Sequence, residues 1–137
     1  MAVIEELILV GEDNTLSFGN YKLGEKTKLD NFEFEGDLYK VKTYNEITKL
    51  ERNGAFVYES VPGSAVMNFK SDSESVSFTV EAPEDVQITL ELEPDKVYRV
   101  FVDGTNVGQM RTNLGGKVSI SVEMSKKDSA KVLIEKA

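Results

Sequence analysis

Three kinds of side chain in this sequence could do chemistry: arginine, carboxylate and tyrosine. Arg52, Arg99 and Arg111 are the only arginines, and a guanidinium can grip a carboxylate or phosphate through two parallel hydrogen bonds. Their wide spacing ties none of them to a common pocket. Residues 71–95 carry Asp72, Glu74, Glu81, Glu84, Asp85, Glu91, Glu93 and Asp95 with no Lys or Arg among them. Grouped oxygens could hold a hard cation, and a facing pair could hydrolyse a glycosidic bond. The spacing matches no calcium-binding loop. Glu81 and Glu91 fall at outward strand positions and the others in turns, so these acids read as solvated. Gly11-Glu12-Asp13-Asn14 and Asp103-Gly104-Thr105-Asn106 have a calcium-loop composition and also read as turns.

Tyr21, Tyr39, Tyr44, Tyr58 and Tyr98 could stack on sugar rings, although the chain has no Trp, the residue with the largest stacking face. Partly buried rings with the hydroxyl at the rim are the plainer reading. There is no His and no Cys. That removes the commonest acid–base catalyst, the commonest metal ligand, the thiolate nucleophile and any disulfide. No phosphate-cradling or dinucleotide-binding glycine motif and no nucleophile elbow occurs. The residues therefore offer no catalytic group, no metal set and no cofactor site, and they leave any ligand-binding residues unknown. The expectation is a protein that is not an enzyme.

The elements that would position these side chains are strands. Val76, Phe78, Val80 and Ala82 alternate with polar residues, as do Val86, Ile88, Leu90 and Leu92, and then Val118, Ile120, Val122 and Met124. Period-two alternation puts one set into a core and the other on the opposite face of a sheet. Val97-Tyr98-Arg99-Val100-Phe101-Val102 is apolar on both faces, which suits a central or covered strand, and Ala130, Val132 and Ile134 supply a closing one. Asn53-Gly54, Gly36-Asp37, Asp103-Gly104 and Gly115-Gly116 read as hairpin turns, because glycine and asparagine reach positive φ readily. The two segments around Pro83 and Pro94 read as turns as well.

Residues 3–10 would suit one amphipathic helical stretch or one buried strand, with β-branched content favouring the strand. The spacing predicts a single all-β domain over 1–137, an antiparallel sandwich or barrel-like fold of roughly eight to twelve strands built from hairpins. Residues 1–62 are less regular and 63–137 read as an immunoglobulin-like meander.

The net charge is −8, with 12 acids to 8 bases in each half of the chain. Such a surface repels phosphate backbones and anionic lipid, so neither nucleic acid nor membrane is an expected partner. The opening Met1-Ala2-Val3-Ile4-Glu5-Glu6 has no basic region of a signal peptide, and a cytoplasmic location is the default expectation.

The stretch from Lys96 to Gly108, continuing from Thr112 to Val122, resembles immunoglobulin-like accessory domains of bacterial polysaccharide-degrading enzymes. Most of the chain, including residues 15–21 and 56–60, is similar to short clostridial proteins labelled endosialidase. That resemblance implies cleavage of polysialic acid, but no catalytic motif matches, so no catalytic residue carries over. The favoured function is a non-catalytic module acting through its surface, by self-assembly as a homo-oligomer or by binding a protein. A carbohydrate-binding module using tyrosines and carboxylates comes second and a glycan hydrolase third. Assembly is suggested by the off-core positions Ser77, Thr79, Gln87, Thr89, Ser119 and Ser121, which are small or neutral where a solvent face ordinarily carries Lys and Glu.

Overall fold

A computed structural model describes residues 3–124 and 127–137; Met1 and Ala2 of the opening segment lie outside the described residues. Among the described residues thirteen strands, one more than the expected range, form two antiparallel sheets. They are β1 (Ile8–Val10), β2 (Leu16–Phe18), β3 (Thr27–Phe34), β4 (Asp37–Thr43), β5 (Thr48–Arg52), β6 (Ala55–Val61), β7 (Ala65–Ser71), β8 (Ser75–Glu81), β9 (Val86–Glu91), β10 (Val97–Val102), β11 (Thr105–Arg111), β12 (Lys117–Val122) and β13 (Ala130–Lys136). One sheet runs β1-β2-β7-β8-β13-β10-β11 and the other β12-β9-β6-β5-β4-β3. The protein is thus an all-β sandwich, as expected. No helix among the described residues is long and apolar enough to cross a membrane.

The alternating segments face inward as their periodicity requires. Phe78, Val80, Ile88, Leu90, Ile120 and Val122 are all buried, with Val41, Leu50 and Ile134 beside them. Tyr58 is fully buried at the centre, edge-on to Phe18, Phe69 and Phe78 with ring centroids 5.2, 6.4 and 5.8 Å away. Buried aliphatics and aromatics of this kind contribute roughly 1.5–3 kcal/mol each.

The connections depart from the sequence reading in four places. Asn53-Gly54 and Asp103-Gly104 do close hairpins, each with both residues at positive φ, but the third such turn is Glu35-Gly36, one residue earlier than Gly36-Asp37. Gly115-Gly116 closes no hairpin at all. β11 and β12 lie in different sheets, so residues 112–116 cross the sandwich. Gly116 is needed there for space, since a Cβ at this position would meet the Leu92 carbonyl at 2.2 Å.

Within 63–137 only β7–β8 and β10–β11 pair with their sequential neighbours, and the remaining strands alternate between sheets. The unbroken meander is β3-β4-β5-β6, in the half that reads as less regular. Its alternation is obscured by bulges near Asn31 and Val57. Finally, the opening segment is neither a helix nor one long strand. Leu7 takes φ 73°, its carbonyl accepts from the Gly19 N–H, and only Ile8–Val10 is extended into the sheet.

Candidate functional site

β12 forms one edge of the six-stranded sheet, and its single neighbour is β9, with Val118 opposite Leu90, Ile120 opposite Ile88 and Val122 opposite Val86. Backbone groups of successive residues in an antiparallel ladder point alternately toward and away from the neighbour. The Leu92 N–H donates to the Gly116 carbonyl, which turns the even-numbered residues of β12 toward β9. Lys117 has the opposite sense. Its N–H donates to Asn113 Oδ1 at 2.9 Å and its carbonyl accepts from the Asn113 N–H at 3.1 Å, both on the side away from β9. Ser119 and Ser121 share that outward sense, and among the described residues nothing takes their N–H and C=O groups. They are the open part of the edge.

The other three edges are blunted. β1 has only three residues. β3 is bulged between Leu29 and Phe32, with Asn31 at φ 59°, and carries Lys28, Asp30 and Glu33. β11 is bulged around Val107, next to Gly108 at φ 139°. Short length, charge and bulges are the devices that keep sheet edges from pairing with other chains, and β12 between Ser119 and Val122 has none of them. Its outer face is neutral. The Ser119 and Thr89 hydroxyls lie 2.9 Å apart, and the Ser121 hydroxyl donates to Gln87 Oε1 at 2.9 Å. Ser77 and Thr79 belong to the outer face of the opposite sheet, so the six small polar positions divide between two surfaces.

The candidate chemical groups do not converge. Arg99 and Arg111 are diagonal neighbours on the paired strands β10 and β11, but each is held by its own carboxylate, Glu135 at 3.8 Å and Asp95 at 3.0 Å. Arg52 ends β5 in the other sheet, beside two hollows of about 260 and 290 Å³ at one end of the sandwich. The acids of 71–95 serve the turns around them. Asp72 accepts the Glu74 and Ser75 N–H groups, which hold its carboxyl below the usual carboxylate range. Asp85 accepts from the Met124 N–H, and Glu93 meets Lys136 at 2.8 Å. Among the described residues no three carboxylates are placed to hold a metal ion.

The two calcium-like segments are turns. The Thr15 hydroxyl closes residues 12–15 by donating to the Glu12 carbonyl at 2.7 Å. Asp103 takes the Lys127 ammonium at 2.9 Å and the Lys131 N–H at 2.9 Å, and both lower its carboxyl pKa.

Tyr39, Tyr58 and Tyr98 are buried, leaving Tyr21 and Tyr44 half-buried in neighbouring loops joined by the Asn45 N–H donating to the Leu23 carbonyl. Burial pushes the Tyr58 phenol up to about 12, against the lowering effect of Ser64 and Ser60. It is therefore a neutral hydroxyl at ordinary pH and no nucleophile.

Lys28, Lys40, Lys42 and Lys49, with Glu51, line a small hollow of about 60 Å³ on the outer face of β3, β4 and β5. On the outer face of the other sheet, Phe101, Leu133, Ser77 and Thr79 border a wider groove of about 510 Å³.

No family model matches this chain, and neither does any curated protein or solved structure. The site must be read from its own geometry.

Neither the open edge nor the lysine hollow is visible in the residue types alone. The lysines recur at alternate positions, Lys26 and Lys28, then Lys40 and Lys42, which is a signal once those segments are known to be adjacent strands. The edge carries none, because Val118 to Val122 alternates just as the interior strand β9 does.

Proposed function

We propose that this protein is a non-catalytic assembly module whose copies join edge to edge through β12. The observation that carries the reading is the outward backbone of Ser119 and Ser121 on a strand with neither bulge nor charge between them. Addition of a strand to such an edge satisfies main-chain donors and acceptors that water otherwise holds, and the flanking side chains set specificity.

A two-fold axis at Ile120 matches the strand to itself. Ser119 exchanges both backbone hydrogen bonds with Ser121 of the second copy, and Ile120 meets its own symmetry mate. Val118 then lies opposite Val122, and the pairing stops before Lys117, whose outward backbone groups Asn113 already takes. Apolar positions stay on the core face. The two six-stranded sheets become one continuous sheet. Cyclic two-fold pairs are the commonest closed assemblies, and they require this kind of self-complementarity.

Light scattering over a concentration series tests the reading. The wild-type mass is expected at a multiple of 15.2 kDa. Ser121→Pro replaces an outward N–H by a ring without touching the bonds to β9, so it is expected to fold and to run as one chain. A wild type still at one-chain mass near about 1 mM, where an association of about 4 kcal/mol would register, overturns the proposal. An unchanged assembly in Ser121→Pro moves the interface away from β12.

A further inference from the structure

The lysines on β3, β4 and β5 stand in an arrangement that an acidic protein has no electrostatic reason to build. Lys28 lies directly opposite Lys42, and Lys42 directly opposite Lys49, so three adjacent strands put ammonium groups in one cross-strand row. Like charges in directly opposed positions destabilise a sheet. Ordinary surfaces intersperse the two signs, and here acids exceed bases by 24 to 16.

The row ends at Glu59, directly opposite Lys49 on β6, and the acids nearby leave its far side, Lys28 and Lys42, unbalanced. Asp30 reaches Lys40, at 4.0 Å, and Glu51 reaches Lys49, at 3.6 Å. Lys28 and Lys42 have no carboxylate within ion-pair distance among the described residues. Lys49 is further held by the Phe56 ring, 5.8 Å from its ammonium. Lys40, Lys42 and Lys49 are half-buried, so their stems lie along the sheet and only the charged ends are free to move. The hollow they share with Lys28 and Glu51 is about 60 Å³. That is room for one small ion, and too little for a sugar ring or a base.

We propose that this hollow binds a tetrahedral oxyanion, phosphate or sulfate, free or as an ester group on a larger molecule. Lys42 is the central ligand, with Lys28 and Lys49 on either side. Lysine is a compact, strongly hydrated point charge with rotatable donors, suited to closing on an oxyanion from several directions. Lys40, balanced by Asp30 and by Glu51 across the strand pair, closes the hollow on the side of lower net charge.

The site lies across the sheet from β12 and does not depend on edge pairing. Titration of the full chain with sodium phosphate and with sodium sulfate tests it, against sodium chloride at equal ionic strength. The reading is the NMR shift of the lysine ε-methylene groups. Saturable shifts are expected at Lys28, Lys42 and Lys49 and not at Lys131, which faces solvent on the other sheet. Lys42→Gln is expected to weaken the apparent Kd by about three- to fivefold, the size of one exposed charge pair. Without the anion the same variant is expected to melt no lower than wild type, because it removes two like-charge contacts.

A parallel titration with dextran sulfate separates the sources. Tighter binding than sulfate, still weakened by Lys42→Gln, assigns the site to an ester on a polymer, and equal or weaker binding assigns it to the free ion. Shifts that follow chloride, or that are the same in Lys42→Gln, overturn the proposal. So does a Lys42→Gln variant that is destabilised and shows no change in anion response, since that is the behaviour of a lysine serving only the fold.

Discussion

At the scale of single residues, the strongest local requirement is a buried hydroxyl network that sequence reading passes over. Tyr58, Ser60, Ser64, Thr43 and Thr48 have no solvent exposure. The Ser64 hydroxyl lies 2.9 Å from Tyr58 OH and 2.7 Å from Ser60 Oγ, and Thr48 Oγ1 accepts the Ser64 N–H at 3.0 Å. Satisfied buried polar groups contribute little net energy, but orphaned ones cost their full desolvation. Ser64→Ala leaves two buried hydroxyls short of a partner and is expected to lower unfolding free energy by about 1–3 kcal/mol in denaturant titration.

Asp103 sets a pH dependence. Its folded carboxyl titrates below the ordinary range because of Lys127 and Lys131, so its stabilising effect is present above that range and is lost as pH falls through it. Asp103→Asn keeps a good hairpin residue before Gly104. The variant is expected to melt below wild type at neutral pH, with the gap closing on acidification. A gap that persists in acid would assign Asp103 to packing and not to charge.

At the scale of elements, the two senses of the β12 backbone make opposite demands on the same few residues. Proline at position 121 removes an outward N–H, whereas proline at 120 removes one that faces β9. Ile120→Pro removes a ladder hydrogen bond to β9 and is expected to unfold the chain or lower its unfolding free energy by about 1–3 kcal/mol, as read by circular dichroism in denaturant, while Ser121→Pro retains the native spectrum. Equal damage from both would mean that the edge is covered. The crossing from β11 to β12 obeys the same local logic. Gly116 sits at φ 82° against the Leu92 carbonyl, a place where glycine is required by close approach and by backbone conformation together.

At the scale of the whole molecule, the described residues of the sandwich form four distinct surfaces. The outer face of β9 and β12 is short-chained and neutral around Thr89, Ser119 and Ser121 and closed at one end by the Lys117–Glu91 pair, that of β3 to β5 is basic, that of the seven-stranded sheet carries the Phe101–Leu133 groove, and one end carries the two hollows beside Arg52. The net charge of −8 conceals the basic face, because charge summed along a chain says nothing of how strands fold it into rows. The proposed assembly and the proposed anion site use opposite sides of one sheet. A mass that responds to Ser121→Pro and an anion response that follows Lys42→Gln are therefore expected to be independent. Loss of both in either variant would instead report a change of the whole fold.

What the residues determine by themselves is local. The alternation of Val76 to Ala82, Val86 to Leu92 and Val118 to Met124 decides which side chains enter the core, since a strand's period of two follows from its backbone alone. Asn53-Gly54 and Asp103-Gly104 decide where the chain reverses, since positive φ is a property of those residues. The tertiary structure decides everything that depends on which strand lies beside which. It separates β11 from β12 across the sandwich although Gly115-Gly116 reads as a hairpin, and it distributes Ser77 and Ser119 to different faces. It also aligns Lys28, Lys42 and Lys49 from three separate strands. Strand pairing is settled by burying one continuous core between two sheets, a condition on the whole chain that no short window of sequence contains. The open edge at Ser119 and Ser121 is a consequence of that pairing, because only the sheet order leaves β12 outermost.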